Sequence, residues 1–244
     1  MGFDFVRFDH IRWPLHGIAG QHTRYSIRLL RYWFARSLLE RVHRQAGRPL
    51  RILEVGVGGR AELRDFIGSQ RWIERWDGLD VNRSIHNTGL YDQFFEADVE
   101  SDLSLVLPHN YDAVVVSHIL EHLLDPDAAM ARLANALAPG GVLIGGSPTM
   151  PSLIAPFRES FLRRKNATIP VTEHRHVSVI TPMRIRRFAQ ALMLDPELVT
   201  GTFFLRWSGL FLENFPFWIR MNLAWGALFP SLGGEVYFLL RKRG

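Results

Sequence analysis

The chain contains no cysteine among its 244 residues. Disulfides, thiolate metal sites and cysteine nucleophiles are therefore excluded, and cysteine usage says nothing about the redox compartment. No uninterrupted apolar run approaches the length of about 18 residues that a membrane-spanning helix needs. Internal repeats with a period of about 20–50 residues are missing too, as are low-complexity segments, which excludes repeat architectures. Charge of one sign is in modest excess only: the formal net charge is +5, and the arginines are scattered. That balance permits an acidic substrate, RNA or a membrane surface without selecting any, and a solvated basic surface explains it as well. Charges interrupt the first ten residues, Met1 to His10. No signal peptide is therefore expected, and the expected compartment is the cytoplasm.

What is present is enough apolar material, 47% of the residues, for one substantial core. The most informative stretch is Leu50 to Arg60. Ile52, Leu53 and Val55 have the character of a buried parallel strand. The strand runs into Gly56-Val57-Gly58-Gly59, where missing Cβ atoms let the backbone turn sharply and a ligand come close. Residues 61–67 then read as the start of a helix. Strand, glycine turn and helix make a nucleotide-binding unit of an open α/β sheet. Gly56, Gly58 and Ala61 would also fit a dinucleotide pattern.

Elements alternate from there: strand 50–56, helix 60–70, strand 75–80, a short turn or helix 83–90, strands 93–97 and 111–117, helix 126–138 and strand 141–147. Such alternation argues for a parallel sheet covered by helices on both faces. Glu54, Gly56, Asp80, Asp98 and Ser117 all fall at the ends of predicted strands, where ligands of such sheets bind. Asp80 ends the second strand, at the distance where a ribose diol is gripped, and a carboxylate accepts from both hydroxyls at once.

These features resemble the class I S-adenosylmethionine-dependent methyltransferases, in the type 11/12-like small-molecule group. The resemblance spans residues 50–148. It includes Tyr111 to Asp125, like the family's fourth strand and following loop, and Leu137 to Ile144, like the turn into its fifth strand. It implies S-adenosylmethionine as cofactor, with Glu54, Gly56, Gly58, Asp80, Asp98 and Ser117 as cofactor-binding residues. Gly56 and Gly58 would lie under the methionine part, Asp80 at the ribose and Asp98 at the adenine amine. Arg60 departs from the pattern, because many members carry glycine there. The fold implied is a Rossmann-like, doubly wound seven-stranded sheet, mostly parallel, whose last two strands form a hairpin with the last one antiparallel.

A single domain over 1–244 is expected: an N-terminal helical cap at 1–48, a cofactor-binding core at 49–148, a variable substrate region at 149–180 and a C-terminal part at 181–244. Apolar residues between 21 and 46 fall at helical spacing, stopped by Gly47 and Pro49. That helix either covers the cofactor cleft or packs on the sheet edge. Thr181 and Pro182 open a helix over 181–194. Leu198–Leu205 and Glu235–Leu240 read as strands. Between them an aromatic insertion, 207–233, greatly exceeds the few residues a hairpin needs. It reads as a lid over an apolar pocket, as helices packed on the body or on a second subunit, or as a peripheral membrane contact.

Methyl transfer from a sulfonium is an in-line displacement, so alignment does most of the work. Proton removal from a hydroxyl acceptor would suit a histidine. His118, directly after the fourth strand, and His122, one turn on, are the candidate catalytic residues, with structural histidines as the plainer reading; His174 and His176 are more distant candidates. His118 and His122 with Glu121, Glu173 and His176 could be combined into a metal site, but no third ligand has a recognisable spacing, and no metal is expected. The expected activity is O-methylation of a small-molecule, saccharide or lipid-linked acceptor. Ser117-His-Ile-Leu120 stands where nucleic-acid amine methylating members carry an Asn/Asp-Pro-Pro-aromatic tetrapeptide, so no nucleic-acid partner is expected. Two alternatives remain open: a catalytically silent cofactor-binding subunit, and an NAD(P)-dependent reductase. Against the latter, none of the 5 tyrosines has the lysine four residues on that short-chain reductases use. Asp80→Ala is expected to weaken binding of the cofactor by about 1.5–3 kcal/mol through loss of charge-assisted hydrogen bonds. Titration calorimetry with S-adenosylhomocysteine measures it, and an unchanged affinity refutes the ribose assignment.

Overall fold

The computed structural model describes residues 26–58, 61–81, 88–101, 103, 107–108, 110–167, 175–202, 212 and 215–244. Arg60, Glu173, His174 and, within the aromatic insertion, residues 207–211 and 213–214, Trp207 included, lie outside the described residues.

Seven strands form one sheet: β1 Leu50–Val55, β2 Ile73–Asp80, β3 Phe94–Glu96, β4 Tyr111–Ser117, β5 Leu137–Pro148, β6 Leu194–Thr202 and β7 Glu235–Lys242. Their order is β3-β2-β1-β4-β5-β7-β6. β1 to β5 pair in parallel, and β7 runs antiparallel between β5 and β6. This is the sheet that the resemblance implied.

Side chains alternate across the central strands, as the pleat requires. Leu53, Val55, Val114, Val116 and Leu143 point to one apolar layer. Leu50, Ile52, Ala113, Val115 and Ile144 point to the other. Helix α1, Ser26–Ala46, and the short α2, Glu62–Ile67, cover this second face through Leu38, Leu39, Val42, Leu63 and Ile67. On the first face lie α3, Pro126–Asn135, and α5, Pro182–Ala191, with Met130, Leu133, Ile185 and Phe188. Between them in sequence, α4 spans Ala155–Asn166. Caps agree with local chemistry: Asp125 accepts from the Ala128 N–H at 3.0 Å, and Thr181 from the Arg184 N–H at 3.1 Å.

Three expectations shift. The helix expected over 181–194 ends at Ala191, because Leu194 already opens β6. The helix expected over 126–138 stops at Asn135, because Leu137 already pairs with Tyr111, and β5 re-enters at Val142 after an irregularity. The variable region also holds an unforeseen helix, α4. Within the aromatic insertion, α6 spans Pro216–Leu228. Asn222 and Leu223 are buried, and the helix packs on the edge strand β6. Contact is backbone to backbone there: a Cβ on Gly226 would lie 2.2 Å from the Gly201 carbonyl oxygen.

Gly226→Ala therefore has no flexible neighbour to displace. Alanine's helical preference is worth about 1 kcal/mol, but separating α6 from β6 costs more. A net destabilisation of about 1–3 kcal/mol is expected by urea unfolding; an unchanged midpoint would show that α6 is not seated on Gly201.

Candidate functional site

Strand order reverses between β1 and β4. From β1 the chain proceeds outward through β2 and β3, and returns on the other side of β1 as β4. The loops leaving these two strands diverge, which opens a crevice at their carboxyl ends. A cavity of ≈ 580 Å³ lies there, within the range of small-molecule and cofactor sites. Its walls include Glu54, Gly56, Gly58, Ser117, His118 and, from α1, Arg31 and Tyr32. The N-terminal helix packs on a face of the sheet rather than its edge, and it contributes Arg31 and Tyr32 to the wall of the cleft.

The glycine turn has the geometry its sequence implies. Gly56 and Gly58 take φ values of +71° and +69°, which favour glycine. A Cβ on Gly56 would strike the Ile119 side chain at 2.8 Å, whereas nothing lies within 4 Å of the same point on Gly58. Gly58 donates its N–H to Asp80 Oδ2 at 3.1 Å, which ties the turn to the end of β2.

Glu54 lines the cavity from inside the sheet, with its Oε2 accepting from Trp76 Nε1 and from the Tyr91 hydroxyl, each at 3.1 Å. Burial raises its pKa to about 7, although those two donors and nearby Arg64 pull the other way.

His118 follows β4 with φ +55° and donates its N–H to the Gly146 carbonyl at 2.7 Å. Its ring sits among carboxylates. Nδ1 is 3.1 Å from Glu121 Oε1, and Nε2, itself buried, is 3.7 Å from Glu235 Oε2. The latter spacing exceeds hydrogen-bond length and makes an ion pair when the ring is charged. Glu121 also accepts from Ser147 Oγ at 3.0 Å. Glu235, fully buried at the start of β7, is bound by Arg31 through Nε at 3.0 Å and through a second guanidinium nitrogen. Burial alone would lower the His118 pKa, but Glu121 and Glu235 outweigh it and the net shift is upward. For both carboxylates burial acts upward; His118 outweighs it at Glu121, and His118 with Arg31 outweigh it at Glu235, so both end below the usual range.

Asp80, Asp98 and His122, also expected at the site, are not among the residues that line this cavity. Asp98 is exposed two residues beyond β3, and its Oδ1 accepts from the Glu100 N–H at 2.8 Å. The His122 ring meets that of His176 at 4.9 Å, edge to face. Glu121, His122 and His176 do bring ligand atoms within 4.8 Å of one another. Both Glu121 oxygens, however, already serve His118 and Ser147. Arg31, Tyr32 and Glu235 escaped sequence reasoning. One arginine among several on a helix carries no signal, but an acid opening the apolar run Val236 to Leu240 does.

Glu54 yields a prediction with a definite sign. Its pKa is higher folded than unfolded, so its contribution to stability is complete below about pH 4.5 and is lost as pH rises through about 7. The shift corresponds to about 3 kcal/mol. Glu54→Gln keeps an oxygen for Trp76 and Tyr91 and cannot ionise. Relative to wild type without ligand, it is expected to gain about that much stability between pH 5 and pH 8 by urea unfolding. A pH-independent difference would place the ionisation elsewhere.

Comparison with known proteins agrees with this geometry. The family described as a methyltransferase domain matches residues 26–194. A ubiquinone biosynthesis O-methyltransferase from Thiobacillus denitrificans is 23% identical over 158 residues, which are 62% of this chain and 67% of that protein. Among solved structures, a candidate sarcosine dimethylglycine methyltransferase from Galdieria sulphuraria superposes with TM-score 0.62 at 15% identity, covering 96% of this chain and 98% of that one. The N-methyltransferase NodS from Bradyrhizobium japonicum, in complex with S-adenosyl-L-homocysteine, gives 0.51 at 16% identity, covering 97% and 100%. With its seven-stranded sheet, its glycine turn at the strand-order reversal and a match over most of its length, the chain belongs to the methyltransferase-domain family, whose methyl donor is S-adenosylmethionine.

Proposed function

We propose that the protein methylates an oxygen on a small-molecule, saccharide or lipid-linked acceptor. The observation that supports this best is the cavity where the glycine turn and the Ser117–His118 loop converge, with Asp80 tied to that turn through the Gly58 N–H. The O-methyltransferase name of the Thiobacillus denitrificans relative favours oxygen over nitrogen. The residues present fit the donor. Gly58 leaves open space where a side chain would project, and Asp80 stands beside it as an acceptor for a ribose diol. Bound there, S-adenosylmethionine supplies a methyl already activated by its sulfonium.

The chain's own contribution is alignment and exclusion of water. Holding two reactants in line is worth up to about 7–11 kcal/mol. Arg31 and Tyr32 on α1 and His118 on the β4 loop line the cleft, and Arg31 and His118 meet at Glu235. His118 enters this reading as a positioning residue. With one ring nitrogen on Glu121 and the other buried towards Glu235, the ring fixes the loop that follows β4. The proton of an acceptor hydroxyl is not assigned to it.

Incubation with S-adenosylmethionine and candidate acceptors should release S-adenosylhomocysteine and add one methyl to the acceptor, read by mass spectrometry. Donor binding without any methylated product would indicate a silent subunit. The role of His118 has its own readout. Its ring loses charge as pH rises through a pKa above 6.5, which loosens the cluster, so kcat/KM is expected to decline on that side. His118→Gln should lack the decline and lose about tenfold in rate; a loss of about 10²–10⁴-fold together with an activity that rises with pH would make it the general base instead.

A further inference from the structure

Helix α4 presents two unlike faces. Ala155 is buried, Glu159 accepts from the Val179 N–H at 3.0 Å and from Arg184 at 2.9 Å, and Arg163 donates to the Leu124 carbonyl at 3.0 Å. Asn166 donates to the His176 carbonyl at 2.9 Å. The spacing of these four residues puts them on one side of the helix, and that side anchors it to the body.

The opposite side is apolar and open. Leu153 and Ile154, at the entry to the helix, are 87% and 53% exposed, and Phe157 and Phe161 are 78% and 55% exposed. Isolated exposed apolar residues are ordinary, but four in register, two of them aromatic, make a continuous row. The row is bordered by Arg158, Arg164 and Lys165, all exposed. Among the described residues none of these three has a carboxylate partner, and the Arg158 guanidinium lies 5.6 Å from the Phe161 ring centroid. Aromatic and aliphatic side chains edged by free cations, on a helix whose other side is fixed, are the requirements for lying in the interface of an anionic bilayer. A protein partner needs only the apolar row; the unpaired cations beside it favour lipid phosphate.

We propose that α4 binds the surface of an anionic membrane, with Leu153, Phe157 and Phe161 inserted among the acyl chains and Arg158, Arg164 and Lys165 at the headgroups. The helix follows the carboxyl end of β5, which is parallel to β1 and β4. The edge of the sheet that bears the cavity therefore faces the bilayer. The proposal does not depend on the acceptor, because vesicle binding needs no methyl donor.

Co-sedimentation of the whole chain with vesicles tests it. Binding is expected to phosphatidylcholine mixed with phosphatidylglycerol, to weaken with salt, and to be slight with phosphatidylcholine alone. Replacing Arg158, Arg164 and Lys165 by Gln together should lower the partition coefficient about 100-fold. Phe157→Ser with Phe161→Ser should reduce it while leaving calorimetric affinity for S-adenosylhomocysteine unchanged, which certifies folding. Equal binding to both vesicle types, or binding indifferent to both sets of substitutions, overturns the proposal. So does a concentration-dependent dimer that dissociates on the serine substitutions, which would make the row an interface between two copies.

Discussion

The structure depends on a cluster of charges whose two carboxylates, Glu121 and Glu235, are buried. Glu235 opens the last strand with no exposed surface, and Arg31 reaches it from the first described helix, 204 residues earlier. Through His118 the same cluster includes Glu121 on the loop after β4. Isolated buried carboxylates would be costly to ionise. Here each faces a cation, and the cations face nothing better. Three elements far apart in sequence thus share one electrostatic requirement, and the cleft wall is the place where it is met. Glu54 shows the opposite solution nearby: with only neutral donors at its Oε2, it is driven toward its protonated form.

Legibility in the sequence follows the range of the interaction. β4 runs from Tyr111 to Ser117 as expected, because Val114, Val115 and Val116 are buried on both faces and leave no other solution. The glycine turn and Asp80 were legible for the same reason: backbone conformation and a strand-end acid are local facts. The arrangement around His118 was not, since its partners come from β7 and from a loop three residues on. Periodicity failed at α4 because its apolar residues do not face the core. A row at helical spacing presumes a buried side, and here the side turned to the body carries Ala155, Glu159 and Arg163, of which only Ala155 is buried. Asp98 was placed by analogy of position, and it lies two residues beyond β3, which ends at Glu96.

Three helices, α1, α4 and α6, surround the sheet outside the strand–helix units of the cofactor-binding core. α1 supplies Arg31 and Tyr32 to the cavity, α4 turns its rings outward, and α6 is pressed onto β6 by a glycine-to-glycine contact. On the reading proposed above, the common core aligns the donor, and the helices around it govern what approaches.

The paired glycines of β5 have a consequence for how this sequence can drift. Gly146 leaves the space filled by the Tyr237 ring, which a Cβ would approach to 2.6 Å, and the other partner of that ring is Phe34, stacked at 4.5 Å. The Tyr237 hydroxyl in turn reaches Glu235. A bulkier residue at 146 would push the ring into Phe34 and drag the hydroxyl off the acid. Descendants of this chain can alter position 146 only in concert with 237 and 34, so those three sites evolve as a single character.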